Sequence, residues 1–426
     1  MKREIIADLL AWKNSKNRKP LILLGARQVG KTYILKDFGA KEYKHVAYVN
    51  FDNNKLLNNL FTDYSTERIL KTIEGVTGVK ITAGETLIIF DEIQEVKGGL
   101  GCLKYFCENA PEQHVAVAGS LLGIAMHGGE SFPVGKVNFL RMFPMTYTEF
   151  VRAKGNEELL EPLENRNWEV INLLHDKYVE LLREYYCIGG MPEVVSTYIQ
   201  TSSLIDARNV QLEILKAYDN DISKHASKQE TVRINQVWQS IPSQLSKENR
   251  KFLYGALKKG GRAKEFELAI QWLQDAGLVY KVNRVAQLKQ PLKFYEDFSA
   301  FKLYCLDCGL AGAMSDANMG DIMLGQIHNE WSGAMTELYV ATQLYTKTEN
   351  VFYYSRDDSR LEIDFVVQKD RKICPLEVKS EENLQSKSLK TIVGGSEDMT
   401  GIRYSMSKYR EQDRLINIPL YAACLA

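Results

Sequence analysis

The sequence predicts an α/β fold with a buried, mostly parallel β-sheet in the amino-terminal third of the chain. Four short apolar runs carry this prediction: LILL at 21–24, VAYVNFD at 46–52, TLIIFDE at 86–92 and HVAVAGS at 114–120. Helix-length segments separate the runs, and continuous apolar runs are typical of strands that are buried on both faces of a parallel sheet. We expect this sheet to end near Phe143-Pro144.

Three further parts follow the predicted sheet. Residues 156–245 show long stretches of helical periodicity, broken at 189–192 by two glycines and a proline. Residues 246–290 have the order helix, short basic turn, helix, strand, which is the layout of a winged helix-turn-helix. Residues 291–426 mix strands with helices. We therefore predict four domains: an α/β domain at 1–155, a helical segment at 156–245, a winged-helix module at 246–290 and a second α/β domain at 291–426.

The charge of the chain is balanced, with 54 basic and 54 acidic residues, so no global field selects nucleic acid or membrane. Any such binding has to come from a local patch. The stretch 246–264 holds seven basic residues and one acid, and Lys258, Lys259, Arg262 and Lys264 fall where a turn and a recognition helix would begin. Contact with nucleic-acid phosphates and a simple solvated face are both compatible with this pattern.

The sequence gives no sign of a membrane partner. The first 20 residues place charges inside an apolar stretch, which favours an amphipathic helix over a signal peptide. A run of about 18 apolar residues, as a membrane-spanning helix needs, is missing. We expect a soluble, cytoplasmic protein.

The segment after the first apolar run fits the phosphate-loop pattern G-x-x-x-x-G-K-[ST] in full. Its residues are Gly25, Ala26, Arg27, Gln28, Val29, Gly30, Lys31 and Thr32. The glycines let backbone N–H groups turn toward one point, and the following helix start completes an anion nest. Lys31 can then reach the β- and γ-phosphates of ATP, and the Thr32 hydroxyl can ligate Mg²⁺.

Two carboxylates, Asp91 and Glu92, follow the third apolar run. A buried parallel strand delivers them at its carboxyl end, where ligands bind in such sheets. We predict that Asp91 holds Mg²⁺ and that Glu92 orients and deprotonates the attacking water. Together with the phosphate loop, the pair predicts a complete nucleoside-triphosphatase site.

Other polar residues are candidates for the same site. Ser120 ends the fourth run, where it can contact the γ-phosphate or the attacking water, or cap the helix that follows. Fast hydrolysis also needs a charge-stabilising finger. Lys136 and Arg141 are candidates for it, from this subunit or a neighbour.

A second group of charged residues lies on strands expected at 351–354, 361–367 and 373–379. Glu377 and Lys379 are two apart on one strand and share a face, and Asp364 faces away from its apolar neighbours. Glu337 lies on a preceding helical stretch. Such a set can bind Mg²⁺ and act as a nuclease site. An amphipathic edge with ordinary salt bridges gives the same pattern.

Taken together, the motifs resemble those of the AAA-type ATP-binding proteins of bacteria and archaea that carry a C-terminal domain of uncharacterised function. The matching segments are GARQVGKT, IIFDEIQ, AGS, FPMTYTEF, YCIGGMPEVV, YDNDISK, the basic winged-helix stretch, EIDFVV and ICPLEVKS. They keep the order and spacing of that family over essentially the whole chain.

The resemblance implies a P-loop ATPase of the additional-strand (ASCE) class, in which the Asp91 strand is not adjacent to the phosphate-loop strand. It also implies a restriction-endonuclease-like PD-(D/E)xK fold for residues 291–426. Asp364, Glu377 and Lys379 match the nuclease-like core. Relatives often have Gly-Arg where this chain has Gly135-Lys136. Because lysine is a point charge and not a planar fork, this departure weakens the expected finger.

We therefore expect an ATPase that binds ATP, ADP and Mg²⁺, and whose nucleotide state controls how the C-terminal domains engage DNA. Three alternatives stay open. The first is a nucleotide-dependent signalling switch, like the STAND-type ATPases, without DNA chemistry. The second is a Mg²⁺-dependent DNA endonuclease regulated by ATP. The third is a partner-binding scaffold whose tail has degenerate chemistry. The sequence is also compatible with an oligomer.

Overall fold

The structure is a computed structural model of the 426-residue chain. It describes residues 1–52, 57–126, 132–247, 250–326, 330–356, 361–369, 371–382, 385–395 and 399–425. These residues form two compact units. The first comprises Met1–Phe143 with Asp275–Gly277, and the second comprises Pro144–Gln274 with Leu278–Ala426.

The first unit is an α/β layer structure. Its strands are β1 (Leu21–Leu24), β2 (His45–Asn50), β3 (Thr86–Asp91), β4 (His114–Ala118) and β5 (Asn138–Arg141). Its helices are α1 (Ile6–Lys13), α2 (Lys31–Glu42), α3 (Thr66–Thr77), α4 (Gly99–Asn109) and α5 (Leu122–Ala125), with a 3-10 turn at Ile93–Glu95.

The sheet of the first unit is parallel and has the order β2-β3-β4-β1-β5. The predicted fold class is confirmed. Since β4 lies between β1 and β3, the Asp91 strand is separated from the phosphate-loop strand, as the family resemblance implied. All positions of β3 and β4 are buried, which explains why these strands appear in the sequence as continuous apolar runs.

The strand β5 was not predicted from the sequence. It has only four residues, and its side chains are partly or fully exposed at the edge of the sheet. A short edge strand of this kind has no continuous apolar run, so its pairing with β1 decides its conformation.

The amino-terminal segment forms the amphipathic helix that the sequence predicted. Helix α1 buries Leu9 and Trp12 and exposes Asp8. Within the described part of the chain, we find no helix with the length and apolar composition that a bilayer crossing requires.

The second unit begins with helices. They are α6 (Tyr147–Ala153), α7 (Leu160–Glu164), α8 (Trp168–Leu173), α9 (His175–Ile188), α10 (Pro192–Thr201), α11 (Leu204–His225), α12 (Lys228–Leu245), α13 (Tyr254–Leu257) and α14 (Ala263–Asp275). The expected helical segment after the sheet is confirmed, and so is its break. Helix α9 ends before Gly189, whose φ is 75°, and Pro192 occupies the first turn of α10.

A mixed sheet completes the second unit. Its strands are β6 (Val279–Val285), β7 (Glu296–Cys305), β8 (Phe352–Ser355), β9 (Glu362–Lys369), β10 (Lys372–Val378), β11 (Gly401–Ser405), β12 (Arg410–Gln412) and β13 (Leu415–Pro419). Helices α15 (Cys308–Met314), α16 (Met319–Leu324), α17 (Glu330–Tyr345) and α18 (Lys387–Gly394) accompany them. Short 3-10 turns lie at Glu157–Leu159, Leu292–Tyr295 and Leu420–Leu425.

The eight strands have the order β12-β13-β11-β10-β9-β8-β6-β7. The three strands expected near the C-terminus are β8, β9 and β10, each within two residues of its expected bounds. The hairpin β6–β7 joins the same sheet, because β6 pairs in parallel with β8. The strand of the expected winged-helix module, β6, and the strands of the last expected domain thus share one sheet.

Candidate functional site

The phosphate loop follows the carboxyl end of β1, which has a neighbouring strand on each side. Ligands of parallel α/β sheets bind at this end of the strands. Gly25 opens the loop with a φ of 144°, and a Cβ on it would lie 2.3 Å from the carbonyl oxygen of Met142. Glycine is required here, since a side chain would strain the backbone and collide with the chain that leaves β5.

The end of the loop prepares an anion site at the start of α2. Gly30 precedes the helix with a φ of 95°, and Gln28 has a φ of 66°, an uncommon value for a residue with a side chain. Gly30 has no side chain with which to cap α2. The first amide N–H groups and the helix dipole therefore favour a bound anion.

Lys31 is turned back onto its own loop. Its Nζ donates hydrogen bonds to the carbonyl oxygens of Gly25 and Ala26, both at 2.7 Å. Burial lowers the pKa of Lys31 to about 8, although the charges of Glu92 and Asp91 oppose this shift. Neutral carbonyls are weaker partners for an ammonium than phosphate oxygens are, so a triphosphate can replace them.

Asp91 lies directly beside the loop. The Thr32 hydroxyl donates to its carboxylate, at 3.0 Å from Oδ2 and 3.2 Å from Oδ1, and the Tyr48 hydroxyl donates to Oδ2 at 2.8 Å. Mg²⁺ binds oxygen in octahedral geometry at about 2.1 Å, so two adjacent ligands lie about 3.0 Å apart. The pair Thr32 and Asp91 therefore fits a Mg²⁺ ion, held directly or through water.

Tyr48 is a site residue without a signal in the sequence, because a tyrosine in an apolar run is typical of any strand. Its position follows from the parallel pairing of β2 with β3. The Lys36 ammonium lies 3.4 Å from the centre of the Tyr48 ring. Burial and the bond to Asp91 raise the pKa of Tyr48 to about 12, which keeps its hydroxyl a donor.

Glu92 is held in one orientation by three groups. Its carboxylate accepts the Ser120 backbone N–H at 3.0 and 3.1 Å, the Ser120 hydroxyl at 3.2 Å and the Gln94 amide at 2.5 Å. The backbone of Glu92 has a φ of 52°. Such strain persists only where the surroundings over-determine the conformation, and it is frequent at active sites.

Ser120 thus acts on Glu92. The alternative that Ser120 caps the following helix is wrong, because α5 begins at Leu122 and Leu121 precedes it. The glycine before Ser120 also has a reason in this geometry. A Cβ on Gly119 would lie 2.4 Å from Oε1 of Gln94, the third residue of the arrangement.

The two finger candidates lie at opposite ends of β5. Arg141 is in register with Leu24, the last residue before the phosphate loop, so its backbone lies at the site end of the sheet. Lys136 precedes β5 and pairs with Glu108 at 2.9 Å. Within its own chain, Lys136 therefore lies away from the phosphate loop.

In the second unit, β9 and β10 bring three of the predicted nuclease-like residues together. Val378 N–H donates to Asp364 Oδ2 at 2.8 Å, and Lys379 Nζ lies 2.8 Å from Glu377 Oε1. The second oxygen of Glu377 is buried, and no described residue bonds it. Burial and the charge of Glu337 raise the pKa of Asp364 to about 7. Two carboxylates and a lysine are thus neighbours.

Glu337, the remaining predicted acid, is bound to cations. Its buried carboxylate accepts Lys302 Nζ at 3.1 Å, the Tyr304 hydroxyl and the Arg250 guanidinium. Burial alone would raise the pKa of Glu337, but Arg250 and Lys302 lower it to about 2. Among the described residues, no three His, Cys, Asp or Glu side chains are grouped to hold a metal ion.

The basic stretch is exposed where the sequence suggested a recognition helix. The side chains of Lys258, Lys259, Arg262 and Lys264 are all exposed in the turn before α14 and in its first residues. Lys258 has Glu265 at 3.9 Å, a distance at which an exposed pair contributes little. These four cations are therefore accessible to a polyanion.

Three family models match successive parts of the chain. Residues 17–151 match the AAA domain, residues 179–321 match a domain of unknown function (DUF8612), and residues 332–422 match another domain of unknown function (DUF4143). The first match contains the phosphate loop, Asp91, Glu92 and Ser120. The last contains Glu337 and the residues on β9 and β10.

Two solved structures are similar to this chain at low identity. A Walker-type ATPase of Pyrococcus abyssi is 14% identical with a TM-score of 0.46, over 74% of this chain and 95% of that chain. The ORC1 protein of Aeropyrum pernix in complex with DNA is 12% identical with a TM-score of 0.29, over 76% of this chain and 94% of that chain. No curated protein matches the chain.

The matched families follow one another along the chain in the order that the motifs indicated. The strand order of the first unit is also the one expected for its domain. An AAA domain with a separated Asp91 strand comes first, and two domains of unknown function follow. The chain thus carries an AAA domain followed by two domains of unknown function, an arrangement consistent with the AAA-type ATP-binding proteins that have a C-terminal domain of uncharacterised function.

Proposed function

We propose that this chain hydrolyses ATP in a Mg²⁺-dependent reaction. The observation that carries the proposal is the carboxyl end of β3, where Asp91 lies 3.0 Å from the Thr32 hydroxyl and Glu92 is the next residue. Phosphoryl transfer depends on positioning and charge stabilisation more than on covalent chemistry with the protein. The phosphate loop, the metal-side carboxylate and the water-side carboxylate supply these parts at one sheet edge.

Substrate binding uses the loop and Lys31. The amides at the start of α2 donate to the phosphate oxygens, and the Lys31 ammonium exchanges the carbonyls of Gly25 and Ala26 for the β- and γ-phosphates. Thr32 and Asp91 would hold a Mg²⁺ ion, which would supply charge neutralisation for the same phosphates. Tyr48 orients Asp91 for this role through its hydroxyl.

Water activation uses Glu92. A carboxylate has about four acceptor positions, and the contacts with Ser120 and Gln94 leave room for one more donor. A water placed there can pass its proton to Glu92 while its oxygen attacks the γ-phosphorus. The bond between that phosphorus and the β–γ bridging oxygen breaks, and ADP leaves with the bond's electron pair. Because Ser120 and Gln94 already fix the carboxylate, its orientation costs little at the moment of reaction.

Phosphate release and nucleotide binding, measured on the same preparations, test this function. We expect Lys31→Ala to lose nucleotide binding, and Glu92→Gln to bind Mg–ATP but to turn over at least about 100-fold more slowly. The matched controls are Lys41→Ala and Glu95→Gln, which change exposed residues near each position. Equal turnover of Glu92→Gln and the parent chain would rule out Glu92 as the base.

We also propose that the second unit engages duplex DNA through the start of α14, and that the bound nucleotide changes its affinity. The support is the set of four exposed cations at 258, 259, 262 and 264. Each neutralised phosphate contributes roughly 0.9 to the slope of log affinity against log salt concentration. If all four cations contact phosphates, replacing them should reduce the magnitude of this salt-dependence slope by about 3.6.

The test compares two charge variants of the full chain, with Mg²⁺ and either ADP or a non-hydrolysable ATP analogue. One variant carries glutamine at positions 258, 259, 262 and 264. The other carries glutamine at the exposed lysines Lys41, Lys44, Lys71 and Lys80 of the first unit. We expect only the first to lose DNA affinity and salt dependence. Equal DNA affinities of the two charge variants would favour the signalling switch without DNA chemistry. DNA strand breaks that disappear in Asp364→Ala would favour the ATP-regulated endonuclease.

A further inference from the structure

The second unit contains a buried set of charges that no step of ATP hydrolysis uses. We call it the buried ion network and define it as Arg250, Lys302, Glu337 and Glu362. Lys302 lies at its centre on β7, with no exposed side-chain surface. Its ammonium reaches Glu337 on α17 at 3.1 Å and Glu362 on β9 at 2.9 Å. A buried ammonium is costly unless such partners surround it.

The carboxylate of Glu337 accepts hydrogen bonds from three protein side chains. Lys302 and the Tyr304 hydroxyl bond Oε1, and Arg250 bonds Oε2. Two positive charges therefore face this single carboxylate, whose side chain is 1% exposed. A divalent cation at Glu337 would have to displace both of them or approach them at close range, and like charges at such distances repel strongly in a poorly solvated site.

The neighbouring carboxylates differ from Glu337. Among the described residues, Asp364 accepts one hydrogen bond, from Val378 N–H, and takes part in no ion pair. Glu377 shares one oxygen with Lys379 and keeps a buried oxygen without a partner. Both of these acids therefore retain acceptor capacity that a cation can use.

We infer that Lys302 and Arg250 are resident cations that take the place of a metal ion at Glu337, so that this glutamate is a structural anchor and not a metal ligand. The network ties α17, β7, β9 and the segment at residue 250 together. Any divalent cation at this face is then left to Asp364 and Glu377. The inference is independent of ATP hydrolysis in the first unit.

The stability of the metal-free chain separates the two roles. The carboxylates of an empty metal site repel one another, so neutralising one of them stabilises the metal-free protein. A carboxylate that anchors two buried cations has the opposite effect, because its loss leaves those charges uncompensated. We expect Glu337→Gln to lower the melting temperature in EDTA by roughly 10 °C, and Asp364→Asn to leave it unchanged or raise it.

Two further measurements keep the inference testable. The double variant Lys302→Met with Glu337→Gln should lose less stability than the sum of its single variants, because the partners are removed together. If Glu337→Gln does not fold, Glu362→Gln should show a smaller loss in the same direction, because the Glu362 side chain is 22% exposed. In each case saturating Mn²⁺ should not restore the lost stability.

Two outcomes would contradict the structural role of Glu337. A Glu337→Gln chain that melts higher than the parent in EDTA would overturn the inference. So would Mn²⁺ that stabilises the parent but not Glu337→Gln, since that result would make Glu337 a ligand. Loss of ATPase activity in Lys31→Ala has no bearing on either measurement.

Discussion

At the scale of single residues, hydrogen bonds to carboxylates organise the proposed nucleotide site. Asp91 receives the hydroxyls of Thr32 and Tyr48, and Glu92 receives Ser120. Each acid is therefore fixed by a different neutral donor, and the two adjacent residues keep separate roles. Neutral donors suit this purpose, because they orient a carboxylate without cancelling the charge that Mg²⁺ or a proton needs.

Tyr48→Phe removes one of these donors without changing the shape of the side chain. We expect a rise of at least about 10-fold in the Mg²⁺ concentration needed for half-maximal hydrolysis, because a hydrogen bond to a charged group contributes roughly 1.5–3 kcal/mol. The rate at saturating Mg²⁺ should change little. Tyr33→Phe, at an exposed tyrosine on α2, is the control. An unchanged Mg²⁺ dependence would show that Tyr48 does not position Asp91.

We expect the buried side chain of His114 to make the first unit less stable at acidic pH. The side chain is buried and its Nδ1 lies 2.7 Å from the Tyr43 hydroxyl. Burial, then the charges of Arg18 and Lys13, lower the pKa of His114 to about 4, against 6.5 for a free histidine. Between these two values the unfolded chain binds a proton that the folded chain does not. Stability is therefore lost as the pH falls from 6.5 to 4, by at most about 1.4 kcal/mol per pH unit.

Denaturant unfolding of the parent chain and of His114→Gln at several pH values measures this loss. The glutamine variant should lack this part of the pH dependence below 6.5, the free-histidine value. His45→Gln, at an exposed position that starts β2, should keep the parent's dependence. The same slope in all three chains would contradict the assignment to His114.

At the scale of elements, two glycines show how the same substitution can have opposite effects. Gly25 has a positive φ, and a Cβ on it would lie 2.3 Å from the carbonyl oxygen of Met142, whereas a Cβ on Gly75 in α3 would meet no atom within 4 Å. A helix interior favours alanine over glycine by about 1 kcal/mol. The phosphate loop has no such preference, because its backbone conformation excludes a side chain.

We therefore expect Gly75→Ala to raise the free energy of unfolding of the first unit by about 0.5–1 kcal/mol, with ATP hydrolysis unchanged. Gly25→Ala should lower that free energy by at least about 2 kcal/mol and abolish nucleotide binding. Denaturant titration and calorimetry with Mg–ATP measure both effects. A stable Gly25→Ala chain that binds nucleotide normally would contradict the geometry of the loop.

At the scale of the whole molecule, the chain consists of two units with one sheet each. The residues of the proposed nucleotide site belong to the first unit, and those of the buried ion network belong to the second. Of the five tryptophans, Trp12 lies in the first unit and the others, at 168, 238, 272 and 331, lie in the second. This distribution gives each unit its own spectroscopic reporter.

Fluorine NMR of chain labelled with 5-fluorotryptophan uses these reporters. A ligand that binds only the folded state stabilises it by about 2.7 kcal/mol at 100 times its Kd. A non-hydrolysable ATP analogue with Mg²⁺ should therefore raise the melting temperature that Trp12 reports by roughly 5–10 °C. Lys31→Ala should show no such rise. If the Trp12 signal of the parent chain melts at the same temperature with and without the analogue, the nucleotide site is wrong.

Local sequence determined the nucleotide site and most of the strands. The phosphate loop consists of consecutive residues, so its glycines, Lys31 and Thr32 are placed by a single turn between β1 and α2. Asp91 and Glu92 follow a fully buried strand, and parallel strands end at a common edge. Alternation likewise indicated that Glu377 and Lys379 share a face of β10 and that Asp364 faces away from its apolar neighbours on β9.

Only the tertiary structure decided which partner each charge has. Arg250 and Glu337 are 87 positions apart, and Ser120 and Glu92 are 28 apart. Periodicity shows which way a side chain points but not what lies opposite, because that depends on the packing of distant elements. For the same reason the sequence left open whether Glu337 belongs to a nuclease-like site or to ordinary salt bridges, while the fold surrounds it with Lys302 and Arg250.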